Sequence, residues 1–418
     1  MGLSTAQVSA HRAGDARQHG AMEYSQPPAD LDAVRRYRVA RVREKLKEFD
    51  YAGILLFNPI NTRYACDATN MQIWCTHYET RCVWVATDGP MILFDYAHHP
   101  HITDGFSTID ERRVHSSFYY FAAGERGAEK AENFGAVIAD LVNTYGRGNN
   151  RLAIDRLSAR GCDAIRRHGV SIHDGERVME LARKIKSAQE LALMQSAIEV
   201  AEIGLRRMRA ATKPGITENA LWAELHHANI EHGGEWIETR LMASGPRTFP
   251  WFHESSLRRI EAGDMISIDT DLIGPYGYCA DMSRSWICGE ESPSEQQKRI
   301  YALAYEQIQY NKSILKPGMS YREVAEKAWQ IPNEFVDYKY SVLMHGVGLA
   351  DEYPAIKHIH EFDDKGYDGV LEENMTMCVE SYIGSPKSGE GVKLEEQVLI
   401  TADGIRQLTT DPLETDWL

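Results

Sequence analysis

Three aspartates lie close together in a segment that otherwise reads as two apolar strands. Asp269 and Asp271 interrupt the run MISIDTDLI, and Asp281 lies in YCADMSRSWI, after the Gly-Pro-Tyr-Gly turn at 274–277. Alternate residues of a strand share a face, so the first two aspartates point the same way, and Asp281 can face them from the returning strand. Solvated turns are the alternative, but the apolar neighbours argue against it. Carboxylates on the core side of two strands need a cation, so the pattern predicts metal binding.

Three side chains further along the chain could complete such a site. His345 begins HGVG, Glu380 ends the apolar run MTMCVE, and Glu395 lies in GVKLEEQVLI. Glu395 shares a strand face with Lys393 and Gln397. A single buried glutamate is more often a structural carboxylate, but five acids and one histidine on separate strands favour metal binding. This oxygen-rich set suits two divalent ions about 3.5–4 Å apart, such as iron, manganese, cobalt or zinc.

The composition indicates an ordinary globular protein and excludes several classes of partner. The chain has 418 residues, which favours two domains, with 43% hydrophobic and 26% charged residues. Its net charge of −15 argues against nucleic acid, which needs clustered basic residues. The absence of an apolar run of roughly 20 residues argues against a membrane span. Seven cysteines without a C-x-x-C pair, and a first segment without an apolar signal region, predict a cytoplasmic location.

The chain divides into three parts by composition and pattern. Residues 1–30 are small and polar and predict a loose N-terminal arm. Residues 31–184 alternate helical stretches with short strand-like runs, including AGILLF, RCVWVAT, PMILFDY and RLAID, which predicts an α/β domain. Residues 185–418 predict a second, α+β domain, whose first long helix has Ser187 as its N-cap.

A weak internal repeat suggests that the second domain has two related halves. KPGITENALWAEL begins at Lys213 and KPGMSYREVAEKA begins at Lys316. Each is a Pro-Gly turn followed by an N-cap, Thr217 or Ser320, and an amphipathic helix, and each helix precedes a strand-rich stretch. Pro-Gly before a helix is common, so chance remains an alternative. The repeat favours a pseudo-twofold arrangement.

These residues resemble the pita-bread metallohydrolases, the family of methionine aminopeptidase, aminopeptidase P, prolidase and creatinase. The order Asp, Asp, His, Glu, Glu is kept, and GYCADMSRSW, HGVGL and GVKLEEQVLIT are similar to family phrases. The resemblance covers about residues 185–405, and residues 31–184 resemble the creatinase/prolidase N-terminal α/β domain. It implies a pita-bread catalytic domain and a homodimer in which that N-terminal domain closes the neighbouring active site. The metal ligands that it implies are Asp269 or Asp271, or both, together with Asp281, His345, Glu380 and Glu395.

Departures from the peptidase pattern point to one branch of this family. Asp269 and Asp271 lie twelve and ten residues before Asp281, on either side of the peptidase interval, which implies an altered metal geometry. Asp351 begins Asp-Glu-Tyr-Pro where peptidases have His-Glu-x-Pro. The chain therefore looks closest to the dimethylsulfoniopropionate lyases of marine bacteria. That resemblance implies two divalent transition-metal ions, with iron favoured, and Asp351 as the catalytic base that removes a Cα proton.

The substrate of such a lyase is a small zwitterion with a carboxylate and a sulfonium. An aromatic face can bind the sulfonium, and we expect Tyr340, or Trp74 from the N-terminal domain, to supply it, although most aromatic residues belong to a core. His253 resembles a substrate-binding histidine of the peptidases, with a structural imidazole as the alternative. An Xaa-Pro dipeptidase or aminopeptidase is the competing function. A metal-free binding module is disfavoured, because all the expected ligands are present.

Overall fold

The computed structural model describes residues 27–418, so residues 1–26 of the expected N-terminal arm lie outside the described residues. The first part of the described chain contains seven α-helices and six strands. The helices are α1 (Leu31–Glu48), α2 (Pro59–Cys66), α3 (Gln72–His77), α4 (Tyr120–Ala123), α5 (Gly127–Tyr145), α6 (Ala159–Arg167) and α7 (Glu176–Arg183). The strands are β1 (Gly53–Leu56), β2 (Cys82–Ala86), β3 (Met91–Asp95), β4 (Glu111–Val114), β5 (Arg151–Ile154) and β6 (Ser171–Asp174).

These six strands form one mixed sheet in the order β4-β3-β2-β1-β5-β6. β1 pairs antiparallel with β2 and parallel with β5, and the four apolar runs singled out in the sequence all lie in this sheet. The sheet's central strands are buried, as continuous apolar runs require. Helix α1 joins this part to the rest, because the buried Arg38 pairs with Glu190 at 3.1 Å and donates to the hydroxyl of Tyr278 at 2.7 Å.

The second part of the chain contains five α-helices and eleven strands among the described residues. The helices are α8 (Ala188–Ala211), α9 (Glu218–Glu231), α10 (Glu295–Ile314), α11 (Tyr321–Lys327) and α12 (Ile359–Lys365). The first strands are β7 (Trp236–Ile237), β8 (Met242–Ser244), β9 (Met265–Asp269), β10 (Leu272–Ile273), β11 (Cys279–Ala280) and β12 (Ser283–Ile287). The remaining strands are β13 (Met344–Val347), β14 (Asp351–Ile356), β15 (Thr376–Gly384), β16 (Gly391–Thr401) and β17 (Gly404–Gln407).

Two helix pairs, each followed by strands, build this part, as the internal repeat predicts. The strands form three antiparallel sheets: β11-β10-β7, β12-β9-β8 and β14-β13-β15-β16-β17. Serine hydroxyls join β9 and β12 to β16: Ser267 donates to the carbonyl of Gly391 at 3.0 Å, and Ser285 donates to the carbonyl of Lys393 at 3.0 Å. The strands that carry the acidic residues therefore lie against one another.

The N-caps behave as the sequence predicts. Ser187, Thr217 and Ser320 each accept a backbone hydrogen bond from the third residue of the following helix. Among residues 27–418, no helix is long and apolar enough to cross a membrane.

The prediction of one continuous strand through MISIDTDLI is wrong. β9 ends at Asp269 and β10 begins at Leu272, because Asp271 adopts a left-handed backbone conformation with φ of 35°. Hydrophobic periodicity does not reveal such a break, since the residues on both sides remain apolar and buried. The consequence is that Asp269 and Asp271 are not alternate residues of one strand, although both still approach Asp281.

Candidate functional site

Buried acidic residues and one histidine form a single cluster at the junction of the sheets. One group of atoms, from Asp281, His345, Cys378 and Glu395, lies within 4.8 Å of one another. A second group, from Asp269, Asp271 and Asp281, meets the same distance limit. Asp281 belongs to both groups, so the cluster has two centres with a shared carboxylate. This arrangement suits a pair of metal ions joined by a bridging carboxylate.

The strand register explains how distant parts of the chain supply these side chains. Glu380 on β15 and Glu395 on β16 are direct partners across the antiparallel ladder. His345 on β13 is the partner of Cys378, two residues before Glu380 on the same face of β15. Direct and diagonal neighbours in antiparallel strands bring side chains within contact distance. Nε2 of His345 consequently lies 3.3 Å from Glu380 Oε1, 3.6 Å from Glu395 Oε1 and 3.4 Å from Asp281 Oδ2.

Several oxygens of the cluster lack a partner, which fits a metal site. Asp281 Oδ1, Glu380 Oε1 and Glu395 Oε1 are buried and accept no hydrogen bond from the described residues. Burial raises the pKa of Asp281 well above its usual value, and the charge of Glu395 raises it further. Burial likewise raises the pKa of Glu380 to about 7, together with the charge of Glu395. A bound divalent cation would satisfy these oxygens and remove the desolvation cost of their charges.

His345 is oriented as metal-binding histidines commonly are. Its Nδ1 lies 3.0 Å from the carbonyl oxygen of Gly346 and donates to it, which leaves Nε2 free toward the carboxylates. Burial alone would lower the pKa of His345, but the charges of Asp351 and Glu380 outweigh it and raise the pKa well above normal. The imidazole therefore faces negative charge on both sides, from the cluster carboxylates at Nε2 and from Asp351 at Nδ1.

Lys393 is an unassigned member of the cluster. Its Nζ lies 2.6 Å from Glu380 Oε2 and 3.1 Å from both Asp269 Oδ2 and Glu395 Oε2, and the side chain is fully buried. It also donates to the hydroxyl of Ser283 at 2.6 Å. The sequence places Lys393 on the same strand face as Glu395 but gives no sign of its other neighbours, which come from β9 and β15. The prediction that Lys393 and Glu395 share one face of β16 is otherwise confirmed.

Cys378 is the other cluster member that the sequence did not single out. Its Sγ lies 3.7 Å from the backbone oxygen of Asp281, and it packs with Ile273, Cys279 and Val347. Burial raises the pKa of its thiol well above normal, and the charge of Asp281 acts in the same direction. We interpret Cys378 as part of the cluster's apolar wall, because a metal ligand must be a thiolate. The sequence does contain one signal for Cys378: it lies two residues before Glu380, so both side chains share one face of the strand.

A cavity of about 770 Å³ opens beside the cluster, and Asp351 is one of the residues that line it. His345 and Tyr340 also line this cavity. The Asp351 side chain is 55% exposed, and its Oδ1 lies 3.7 Å from Nδ1 of His345, beyond hydrogen-bond distance. Desolvation by the surrounding protein raises the pKa of Asp351, and the positive charge of His345 partly offsets this effect. Asp351 is therefore the predicted site residue that faces the cavity without being buried in the cluster.

The neighbouring acid, Glu352, has a different environment. It is buried, pairs with Lys186 at 3.0 Å and accepts a hydrogen bond from the backbone N of Leu349 at 2.9 Å. Burial raises its pKa, but the charges of Lys186 and Arg183 outweigh this and hold the pKa below normal. The alternation of β14 thus turns Asp351 outward and Glu352 inward.

The three predicted substrate-binding residues have different locations. Tyr340 lines the cavity, and its ring centre lies 4.4 Å from Nζ of Lys393. The backbone oxygen of Tyr340 accepts a hydrogen bond from Nε2 of His358 at 3.1 Å. His253 bonds through Nδ1 to the carbonyl of Arg247 at 2.8 Å, next to Phe252, which stacks on Tyr340.

Trp74 does not line this cavity within its own chain. Its ring is 37% exposed, its indole N–H donates to the hydroxyl of Tyr96 at 2.9 Å, and it packs against Tyr78 and Phe121. Phe121 is 70% exposed, so these aromatic side chains form a surface patch. The aromatic character of Trp74 does not by itself predict where the residue lies in the fold.

The sequence of this chain is similar to one family of metallopeptidases and to several curated proteins. The model for metallopeptidase family M24 matches residues 192–402. Dimethylsulfoniopropionate lyase DddP of Roseovarius nubinhibens is 40% identical over 392 residues, which covers 92% of this chain and 87% of that protein. The protein of the same name from Roseobacter denitrificans gives the same values. Xaa-Pro dipeptidase of Pyrococcus furiosus is 32% identical over 237 residues, or 56% of this chain and 65% of the dipeptidase.

Solved structures share the fold over nearly the whole chain. Prolidase from Pyrococcus horikoshii superposes with a TM-score of 0.73 and 23% identity, covering 90% of this chain and 99% of that structure. Xaa-Pro dipeptidase from Bacillus anthracis gives a TM-score of 0.73 and 22% identity, covering 90% and 98%. The predicted fold class, an α/β part followed by a pita-bread α+β part, is therefore confirmed.

Proposed function

The chain belongs to metallopeptidase family M24, and from that premise we propose that it is a metal-dependent lyase. It cleaves dimethylsulfoniopropionate to dimethyl sulfide and acrylate. The similarity to the lyases spans both parts of the fold, whereas the similarity to the Pyrococcus furiosus dipeptidase covers 56% of the chain. We further propose that residues 31–184 and 185–418 are the N-terminal and catalytic domains.

The observation that carries the mechanism is the position of Asp351. Its carboxylate faces the cavity and is 55% exposed, while the neighbouring acids are buried in the cluster or paired with lysine. A catalytic base must reach a substrate proton within hydrogen-bond distance, and an exposed carboxylate that lines the cavity can do so. Asp351 lies beside the cluster without sharing its buried oxygens.

Asp351 removes a proton from the carbon next to the substrate carboxylate. The electron pair of that C–H bond forms the new carbon–carbon double bond. The bond between the next carbon and sulfur breaks, and its electron pair leaves with sulfur as neutral dimethyl sulfide. Acrylate remains, the proton is on Asp351, and no water is consumed.

The predicted ligands are those of the buried cluster: Asp269, Asp271, Asp281, His345, Glu380 and Glu395. Two divalent ions held by these residues would supply positive charge that attracts the substrate carboxylate and makes its neighbouring C–H more acidic. We propose iron as the metal, a choice that rests on the resemblance to the lyase branch. The unpartnered oxygens of Asp281, Glu380 and Glu395 support metal binding in general.

Tyr340 and Trp74 are the proposed contacts for the sulfonium. Tyr340 lines the cavity beside Asp351, so its ring can face a cation there. His253 follows Phe252, which stacks on Tyr340, and we propose that it supports this wall of the cavity. Trp74 belongs to a surface patch away from its own cavity and would reach one only in a second copy of the chain. We therefore propose a homodimer, which the exposed Phe121 beside Trp74 supports.

A cytoplasmic location is also proposed. All seven cysteines lie in the described part of the chain, none is disulfide-bonded, and six are buried. This pattern is usual for proteins kept in a reducing compartment.

One parallel assay tests the function. Purified, metal-loaded protein is incubated with dimethylsulfoniopropionate and, separately, with the dipeptide Gly-Pro. We expect dimethyl sulfide in the headspace and no free proline. The dipeptidase relatives and the retained acidic cluster favour Xaa-Pro hydrolysis as the second candidate, and release of proline without dimethyl sulfide would establish it instead.

A further inference from the structure

The buried cluster contains a positive charge of its own. Nζ of Lys393 contacts three carboxylates, from Asp269, Glu380 and Glu395, at 2.6–3.1 Å. An ammonium group has three donors, and the Ser283 hydroxyl takes one of them at 2.6 Å. These are close contacts of a fully buried charge, and three of its partners are proposed metal ligands.

The lysine divides the cluster into two unequal halves. In the first, which we term the His345 half, Glu380 Oε1, Glu395 Oε1 and Asp281 Oδ2 surround His345 Nε2 at 3.3–3.6 Å. In the second, the Asp269 half, Asp269 Oδ2 of the centre formed by Asp269, Asp271 and Asp281 faces the ammonium together with Glu380 Oε2 and Glu395 Oε2. The two glutamates contribute one oxygen to each half. Glu380 Oε1 and Glu395 Oε1 of the His345 half accept no hydrogen bond from the described residues, whereas the three oxygens of the Asp269 half, including Glu380 Oε2, which accepts no other bond, already face a cation.

We propose that Lys393 is a tethered cation that competes with a metal ion for the Asp269 half, so that the two metal positions differ in affinity. A divalent ion bound to the same oxygens would lie within a few ångströms of Nζ, and two cations at that distance repel strongly in a buried site. The ammonium must therefore move before that half fills. The inference rests on the metal binding of the proposed function and does not depend on the lyase reaction.

The surroundings of Lys393 offer a path for this movement. The Tyr340 ring centre lies 4.4 Å from Nζ, and Tyr340 lines the cavity. The four-carbon side chain of lysine is flexible, and an aromatic face attracts an ammonium group. A rotation about these bonds can release the carboxylates and move the ammonium past the ring toward the cavity. Filling of the Asp269 half then changes the charge presented at the cavity wall where the substrate binds.

Metal titration of the metal-free protein tests this proposal without an activity assay. Co²⁺ is added to the wild type, to Lys393→Met and to Lys312→Met, and binding is followed by calorimetry and by visible absorption. Lys312 is a matched control, since it is a buried lysine whose Nζ bonds to Gln407 at 2.7 Å outside the cluster. We expect two unequal steps in the wild type and in Lys312→Met. In Lys393→Met the weaker step should tighten at least ~10-fold, as expected when a nearby like charge is removed.

Two results would overturn the proposal. One is a wild type whose two steps have equal affinity, and the other is a weaker step that Lys393→Met leaves unchanged or weakens further. Thermal melting distinguishes the proposed role from a purely structural one. If Lys393 were only structural, Lys393→Met would lower the melting temperature equally with and without Co²⁺. We expect the variant to lose stability only when metal-free, because the carboxylates then repel one another.

A crystallographic measurement on the wild type covers the case in which the variant does not fold. Crystals with one equivalent of Co²⁺ should show anomalous density in the His345 half, with Nζ of Lys393 still beside Asp269. Density first in the Asp269 half would contradict the proposal. Absence of dimethyl sulfide in the lyase assay would leave these metal measurements unaffected, so the two failures are distinguishable.

Discussion

The Asp351→Asn substitution removes the proposed base while keeping the size and polarity of the side chain. Asp351 is 55% exposed and lies beyond hydrogen-bond distance of its neighbour His345, so its replacement breaks no buried contact. We expect the free energy of unfolding to change by no more than about 0.5 kcal/mol, as for other exposed sites. The metal content should stay the same, because Asp351 lies outside the six proposed ligands.

The catalytic effect should be much larger than the effect on stability. Loss of a positioned base costs at least ~10²-fold in kcat, which corresponds to about 2.7 kcal/mol in the barrier of the chemical step. KM should change little, because the proposed contacts to the substrate carboxylate and sulfonium remain. The Asp351→Ala variant should behave in the same way, since neither side chain accepts a proton.

The adjacent acid provides the matched control. Glu352→Gln removes a charge one residue away, but that charge is buried and paired with Lys186 at 3.0 Å. Breaking a buried pair commonly costs about 3–5 kcal/mol, so this variant should melt at a lower temperature while its kcat per folded molecule stays within a few-fold of wild type. Asp351→Asn should therefore lower kcat without lowering stability, and Glu352→Gln should lower stability with little effect on kcat.

Steady-state release of dimethyl sulfide, elemental analysis and thermal melting, measured on the same preparations, distinguish the outcomes. Near-normal release by Asp351→Asn would refute the assignment and require another base. Loss of metal by that variant would show that Asp351 binds the metal or orients His345, 3.7 Å away.

Three further outcomes follow from the same geometry. Asp281→Ala should lose both metal ions together with activity, because Asp281 belongs to both centres; elemental analysis that finds one ion retained would contradict this. If Trp74 acts on the partner's site, mixing inactive Trp74→Ala and Asp351→Asn chains under exchange should restore about a quarter of wild-type activity through heterodimers with one intact site. No recovery would refute the proposal that Trp74 acts on the partner's site. Burial lowers the pKa of His115 to about 4, so below pH 6.5 the unfolded chain binds a proton that the native state does not, and about 3 kcal/mol of stability is lost between pH 6.5 and pH 4. Urea unfolding of His115→Gln should show a shallower loss over that pH range than the wild type; an equal loss would refute it.

The acidic cluster could be predicted from the sequence because each acidic member interrupts or ends an apolar run of residues. A carboxylate such as Glu380, at the end of MTMCVE, is conspicuous without any knowledge of the fold. Lys393 carries the same kind of signal, but its meaning depends on Asp269 and Glu380, which reach it from other strands. Strand pairing across long sequence separations is what single-sequence patterns do not contain.

The local backbone conformation and the positions of the aromatic side chains also could not be predicted from the sequence. The left-handed conformation of Asp271 divides a run that reads as one strand, and no glycine marks the break. Trp74 and Tyr340 were selected by residue type, but only Tyr340 lines the cavity of its own chain. The resemblance to the peptidase phrase distinguishes Asp351 from Glu352, and the alternation of β14 gives the physical difference, because it turns Asp351 outward and Glu352 inward.

The most direct test of the central claim uses dimethylsulfoniopropionate with both hydrogens next to the carboxylate replaced by deuterium. If the reaction is an elimination begun by proton abstraction, mass spectrometry should find acrylate that retains a single deuterium, together with an equal amount of dimethyl sulfide. The rate of the chemical step should also be lower than with the unlabelled substrate. Formation of 3-hydroxypropionate that keeps both deuterium atoms would contradict the account, because water would then have displaced the sulfide without loss of the Cα proton.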